Sequence, residues 1–226
     1  MNVELLQYPE DPERAVATAA RLCYAPVGAK ELMETMPPER VESVLSTIMK
    51  SGHFSPLEHV SYTFAVDGVS RALTHQLVRH RLASFNQQSQ RYVKFTDGVG
   101  IVKPETVAED EHANAVFDEA IDTILTAYQT MLEAGIPAED ARYILPNAAE
   151  SKIVITMNIR ELLHFFELRC CNRAQWEIRE LAHRMLELVR PTAPYIFKDA
   201  GAGCVRGACP EGKMTCGNPY PRVERD

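Results

Sequence analysis

Several things are scarce in this chain, and each scarcity narrows what it can be. No basic cluster followed by an apolar run opens it; MNVELLQYPEDPERA carries acids and prolines instead. No secretory leader is therefore expected. The longest uncharged apolar stretches, such as IVITMNI, are far too short to cross a bilayer. Positive charge is short as well: 24 Lys and Arg against 31 Asp and Glu give a net −7. That balance argues against nonspecific binding to a nucleic-acid backbone. No internal repeat and no long linker is visible. A G-x-G-x-x-G between strand and helix is missing too. Gly201, Gly203 and Gly207 have the wrong spacing, and prolines and cysteines follow them. A Rossmann cradle is thus excluded. What remains is 226 residues, 46% hydrophobic, enough to bury a sizeable core. The expectation is a cytoplasmic protein that binds neither membrane nor nucleic acid.

The periodicity predicts alternating strands and helices. Val3–Tyr8 reads as an opening strand. Asp11 caps a helix with Pro12 at its first position, running to about Leu22. Pro37 and Pro38 precede a helix with the stripe Val41, Val44, Leu45 and Ile48, closed by Gly52. Tyr62, Phe64 and Val66 alternate with Ser61, Thr63 and Ala65 as a half-buried strand ending at Gly68. A short helix follows over about Val69–Arg79, and a strand is expected around Arg91–Phe95. Ala113–Ala134 is plainly helical, stopped by Gly135 and Pro137. AEDARYIL is a short helix ending at Pro146. Ile153–Met157 is β-branched and strand-like. Asn158, three before Glu161, opens a helix in capping-box fashion that reaches Cys170. A last helix spans Gln175–Arg190, with Trp176 read as core. Together these predict an α+β fold: one domain over residues 1–200, with a mainly antiparallel sheet packed by long helices and no Rossmann motif. Residues 201–226, rich in Gly, Pro and Cys, form a tail distinct in composition.

The donor-rich string RHRLASFNQQSQRY, Arg79 to Tyr92, is the most unusual segment. No Asp or Glu occurs from Gly68 to Thr96, while Arg71, Arg79, Arg81, Arg91 and Lys94 do. Such a gap suits a phosphorylated ligand, because Arg meets phosphate oxygens with paired hydrogen bonds. On a helical wheel Gln76 and Arg79 face the same way. Arg79, His80 and Arg81 instead fan over ~200°. They do not serve one small group from one helix: either the helix ends there or they meet different ligands or subunits.

At these residues the chain resembles the flavin-dependent thymidylate synthases, whose signature is Arg-His-Arg followed after seven residues by Ser. Here it is Arg79-His80-Arg81, then Ser89, with Arg91 and Tyr92. GHFSPLEH before it, ARYILP, Met157-Asn158-Ile159-Arg160 and LRCCNRAQWEI after it extend the likeness over roughly Val3 to Phe197. The resemblance implies a homotetramer with sites shared between subunits. It implies FAD as cofactor, NADPH as reductant, and 5,10-methylenetetrahydrofolate as carbon donor for turning dUMP into dTMP. It implies flavin contacts from Ser55, Arg79, His80, Arg81, Gln87, Asn158, Ile159, Arg160 and His164. It implies dUMP contacts from Gln76, Leu77, Val78, Arg79, Gln87, Gln88, Ser89, Gln90, Arg91, Arg142 and Arg169. Arg169 is the catalytic residue it implies, polarising the uracil. Gln87 stands where some members carry glutamate, and Arg173 where some carry histidine.

Other chemistry-bearing residues have plainer readings. Cys170 and Cys171 follow Arg169, but neither has a paired base, and small buried thiols are common at helix ends. Ser89 has no adjacent base to activate it. His53, Glu58 and His59 lack the order of a helical HExxH, with Pro56 between them, and read as loop and packing residues. No metal is expected among these. Cys204, Cys209 and Cys216 leave three readings open: incidental thiols, a disulfide, or an incomplete metal site in need of a fourth ligand. Two other functions compete on sequence: a nucleotide-binding regulator without catalysis, and a flavin-dependent NADPH oxidase or reductase with another acceptor.

Overall fold

The computed structural model describes residues 1–95 and 98–221. In chain order its elements are β1 (Asn2–Gln7), α1 (Pro12–Leu22), α2 (Ala29–Thr35), α3 (Pro38–Ser51), a 3-10 turn (Ser55–His59), β2 (Ser61–Ser70), α4 (Arg71–Leu77) and β3 (Ala83–Gln87). Then follow α5 (Glu105–Ala108), α6 (Glu111–Glu133), α7 (Ala138–Ala141), β4 (Glu150–Asn158), α8 (Ile159–Arg169), α9 (Trp176–Val189) and α10 (Pro194–Phe197). Thr96, at the end of the acid-free stretch, and 222–226 of the tail lie outside the described residues.

The four strands form one antiparallel sheet in the order β1-β2-β4-β3, with no Rossmann unit. Alternation places its residues. Tyr62, Phe64 and Val66 on β2 and Ile153, Ile155 and Met157 on β4 point to the core and are buried. On the other face the Thr63 and Thr156 hydroxyls pair at 2.9 Å. β2 does not end at Gly68 but runs on to Ser70. Gly68 adopts φ 68° within it, where a side chain would be strained.

By chain range the molecule divides into two compact units. The first comprises residues 1–2, 66–79 and 85–154. Its core gathers Leu73 and Leu77 of α4, Ile121 and Tyr128 of α6, and Ala138 and Ala141 of α7. The second comprises residues 3–65, 80–84 and 155–226. There α3 buries Val41, Leu45 and Ile48, while α9 buries Ile178, Leu181, Ala182, Met185, Leu186 and Val189. Tyr62, Phe197, Phe166 and Phe165 make a chain of edge-to-face rings. Each such buried ring contributes roughly 1.5–3 kcal/mol.

Four further expectations need correction. The strand predicted at Arg91–Phe95 is absent, and the edge strand is Ala83–Gln87. Ser89 redirects the chain: its carbonyl accepts from the N–H of Tyr92 and Val93, which removes those donors from any ladder. The helix expected over Val69–Arg79 is only Arg71–Leu77, capped by the Ser70 hydroxyl at 3.0 Å from the Leu73 N–H. α2 has no counterpart in the prediction; it buries only Leu32 and has no side-chain cap, so it leaves no periodic trace. Trp176 is 40% exposed, not core. It opens α9 two residues before Ile178, about 200° around the helix from the buried stripe.

The tail, distinct in composition, is hydrogen-bonded to the helices before it. Arg206 pairs with Glu167, Arg173 with Glu211, and Asn172 donates to the Asn218 carbonyl. Ala200, Ala202 and Cys204 are buried.

Candidate active site

The exposed face of α8 borders the larger cavity, about 720 Å³, within the second unit. Arg160, Leu163, His164 and Glu167 recur at helical spacing along that wall. The end of α3 and the segment around Tyr195–Ala200 supply the rest, including Lys50, Lys198 and Asp199; Arg206 of the tail adds a fourth cation. Asp199 Oδ1 is buried without a hydrogen-bond partner. An orphan acceptor of this kind needs a donor. Cations that meet phosphate and an acceptor awaiting an amine or hydroxyl suit an elongated, phosphorylated cofactor with a polar end.

Behind that wall lies a chain of three side chains, two of them buried and Arg169 half-buried. His80 and Glu161 are each 5% exposed. His80 Nδ1 is 3.0 Å from Glu161 Oε1, and Arg169 Nε donates to His80 Nε2 at 3.0 Å. Arginine only donates, so Nε2 must be the unprotonated nitrogen and Nδ1–H donates to the carboxylate. His80 is therefore neutral. Burial pushes its pKa below the ordinary value; the Arg169 charge adds to that, while Glu161 works against it. Phe165 and His164 pack edge-on against the imidazole.

Glu161 is the member of this hydrogen-bonded chain that sequence reasoning missed. Asn158 does cap α8, its Oδ1 accepting from the Glu161 N–H at 2.9 Å. The reciprocal arm of the box is absent, because the Glu161 carboxylate serves His80. One signal was available. Glu161 falls among Ile159, Leu162, Phe165 and Phe166, the buried face of α8, where an acid needs a partner.

Of the other flavin contacts implied by the resemblance, Ser55, Arg81, Asn158, Ile159, Arg160 and His164 lie in the same unit, and Arg79 and Gln87 in the first. Ser55 is exposed at the start of its 3-10 turn, and Arg81 is exposed beyond α4. Arg160 pairs with Glu58. Ile159 is buried and gives its N–H to the Val60 carbonyl. His164 is exposed on the cavity wall.

The implied nucleotide contacts, Arg169 apart, lie in the first unit. α4 stops at Leu77, with Val78 as its cap, so Arg79 leaves the helix and is exposed. Gln76 is half-buried and Leu77 fully buried. Gln87 gives its two amide hydrogens to Thr74 Oγ1 at 3.0 Å and Ser151 Oγ at 2.8 Å. Its carbonyl oxygen is then the group placed to meet a ligand. The Gln88 N–H bonds the Lys152 carbonyl; Ser89 Oγ accepts from the Arg91 N–H; Gln90 is half-buried. Glu139 brings Arg91 and Arg142 together: its carboxylate accepts from Arg91 Nε at 2.9 Å and its carbonyl from Arg142 Nε at 3.1 Å. The ion pair is half-exposed and screened by solvent, so a phosphate dianion can compete for Arg91.

No nucleophile is built here. Burial pushes the Cys170 thiol up to about 12, which leaves it inert at neutral pH. Ser89 is hydrogen-bonded to no histidine or carboxylate among the described residues. Among those residues no three His, Cys, Asp or Glu side chains converge on a single metal ion. No helix among them is long and apolar enough to cross a membrane.

Comparison with known proteins bears on the same residues. Residues 4–195 match the family described as "Thymidylate synthase complementing protein". The chain is 58% identical to the flavin-dependent thymidylate synthase of Geobacter sulfurreducens, covering 96% of this chain and 94% of that protein. It is 49% identical to the protein of the same name from Clostridium tetani, covering 96% and 93%. It is 42% identical to that of Pyrococcus abyssi, covering 95% and 91%.

Proposed function

The chain belongs to the flavin-dependent thymidylate synthase family, and from that premise we propose that it uses FAD, NADPH and 5,10-methylenetetrahydrofolate to convert dUMP to dTMP, with Arg169 polarising the uracil. The observation that carries the reading is the Glu161–His80–Arg169 chain. A neutral imidazole accepting from Nε sets the plane of the guanidinium. The terminal nitrogens of Arg169 then have a fixed direction, suited to stabilising negative charge on a uracil oxygen as C5 becomes nucleophilic. No cysteine attack at C6 is needed, in keeping with the inert Cys170.

FAD, when bound, supplies the hydride that completes the methyl group. The cations around the α8 cavity would hold its phosphates, and Asp199 Oδ1 would accept from its adenosine end. Arg79, Gln87–Arg91 and Arg142 would hold dUMP, its phosphate displacing Glu139 from Arg91. A homotetramer belongs to the same reading. α6 buries only Ile121 and Tyr128 and leaves Val116 53% exposed, a face that another copy would cover.

The protein purified without added flavin should be yellow, and should release FAD on denaturation. Supplied anaerobically with dUMP, methylenetetrahydrofolate and NADPH, it should form dTMP. A flavin-loaded tetramer that forms none would refute the reading. Arg169→Ala should suppress turnover by about 100-fold or more while retaining FAD; loss of flavin with turnover per bound flavin intact would contradict the role given to Arg169.

A further inference from the structure

A second cavity in the same unit, about 360 Å³, is lined by four thiols: Cys171, Cys204, Cys209 and Cys216. Cys171 follows α8. The other three come from the tail, beyond the residues that match the family. α9 intervenes in sequence, and the fold returns the tail to the end of α8. None of the four is in a disulfide.

The surroundings suit a negatively charged group. Arg169 and Arg173 line the same cavity, and their charges would offset that of a bound anion. The Asn218 N–H donates to Cys216 Sγ at 3.4 Å, an amide-to-sulfur bond of the kind that tunes metal-bound thiolates. Gly203 lets the loop fold closely on itself, since a Cβ there would lie 2.7 Å from the Pro210 ring. That close approach joins the segments bearing Cys204 and Cys209.

Size decides the ligand class. A tetrahedral zinc site draws four sulfurs to ~2.3 Å from one point. No three metal-ligating side chains converge in that way among the described residues. The cavity is instead several times the ~30 Å³ share of one water. Four thiols lining one void with room for a group of many atoms match the all-cysteine ligation of an iron–sulfur cluster. We propose that Cys171, Cys204, Cys209 and Cys216 hold a cubane iron–sulfur cluster, which fastens the tail to the end of the helix that carries Arg169. Each thiol releases its proton to solvent as its sulfur bonds iron. The ligand site does not depend on the flavin reading.

The test uses the full chain, purified anaerobically and reconstituted with equal amounts of ferrous and ferric iron and with sulfide, so that about two ions of each kind and four sulfides make up the cluster, then desalted. It should retain about four iron and four acid-labile sulfide per chain. The dithionite-reduced protein should show the paramagnetic signal of a cluster, which bound flavin does not mimic in relaxation or g values. Cys204→Ser, Cys209→Ser and Cys216→Ser should each lose most of the iron. Cys23→Ser and Cys170→Ser should keep it, because neither residue lines the cavity. Failure of the unmutated chain to retain iron and sulfide would overturn the proposal. So would stoichiometric zinc in their place, a disulfide among the four in anaerobic protein, or equal iron in all five variants. Flavin content and dTMP formation, measured on the same samples, separate this outcome from the fate of the catalytic reading.

Discussion

Arg169 gives its Nε–H to a histidine that can accept only because Glu161 takes the other ring proton. Removing the carboxylate should therefore act on Arg169 through the imidazole between them. Glu161→Ala should lower kcat for dTMP formation by ~10–100-fold, the cost of a catalytic group misplaced by about an ångström. KM for dUMP should move less, and bound flavin should persist. Glu161→Gln offers the ring an acceptor without the charge, so it should restore a large part of the loss. Equal kcat in Glu161→Ala and the unmutated protein would remove Glu161 from the mechanism; equal damage by Ala and Gln would assign it to charge rather than tautomer. At this scale the sequence exposed the Arg79–Arg81 triplet because it stands in an unusual string, whereas Arg169 was marked only by the likeness to a family. It hid Glu161 behind a capping pattern that explained it too easily. It also could not anticipate Glu139, 48 residues from Arg91, as the partner of an arginine in an acid-free stretch.

Elements with both a cap and a stripe could be read from the chain. Asp11 and Pro12 start α1 and Asn158 starts α8, each cap accepting from an N–H three residues on; Asp110 does the same for α6, whose start was expected only at Ala113. α2 and β3 were not legible, because one buried residue in the first and a half-buried pattern in the second leave no periodic signal. Gly52 tests the reading of helix ends. It sits at φ 72° after α3, and a Cβ there would meet nothing within 4 Å. Any cost of substitution is then backbone strain alone. Gly52→Ala should lower stability by ~1–2 kcal/mol, and Gly52→Asn by less, since Asn tolerates the left-handed region. Urea midpoints for the two variants check the order; Asn as costly as Ala would mean that the cap acts through something other than φ.

For the molecule as a whole, two histidines, His80 buried and His183 half-buried, set the response to acid. Burial lowers the pKa of His80 and of His183 from the ordinary 6.5. Around His183, Arg179 adds to the depression, while Glu180 and Glu187 oppose it. The unfolded chain takes up both protons as pH drops through about 6.5, and the folded chain resists. Stability conferred by these neutral rings is fully present above that pH and is lost progressively as pH falls toward the folded values. Each proton contributes a slope of ~1.4 kcal/mol per pH unit within its window. Glu13 acts in the opposite direction: burial raises its carboxyl from 4.5, so the folded chain takes up that proton first and gains stability from it as pH falls. The urea midpoint should therefore fall between about pH 7.5 and 5.5, the range in which histidine dominates. His183→Gln keeps a polar group beside Tyr220 but removes one of the two titrations, and should make that fall about half as steep. A midpoint that stays level over the range, or a slope unchanged by His183→Gln, would show that these rings do not carry the acid response.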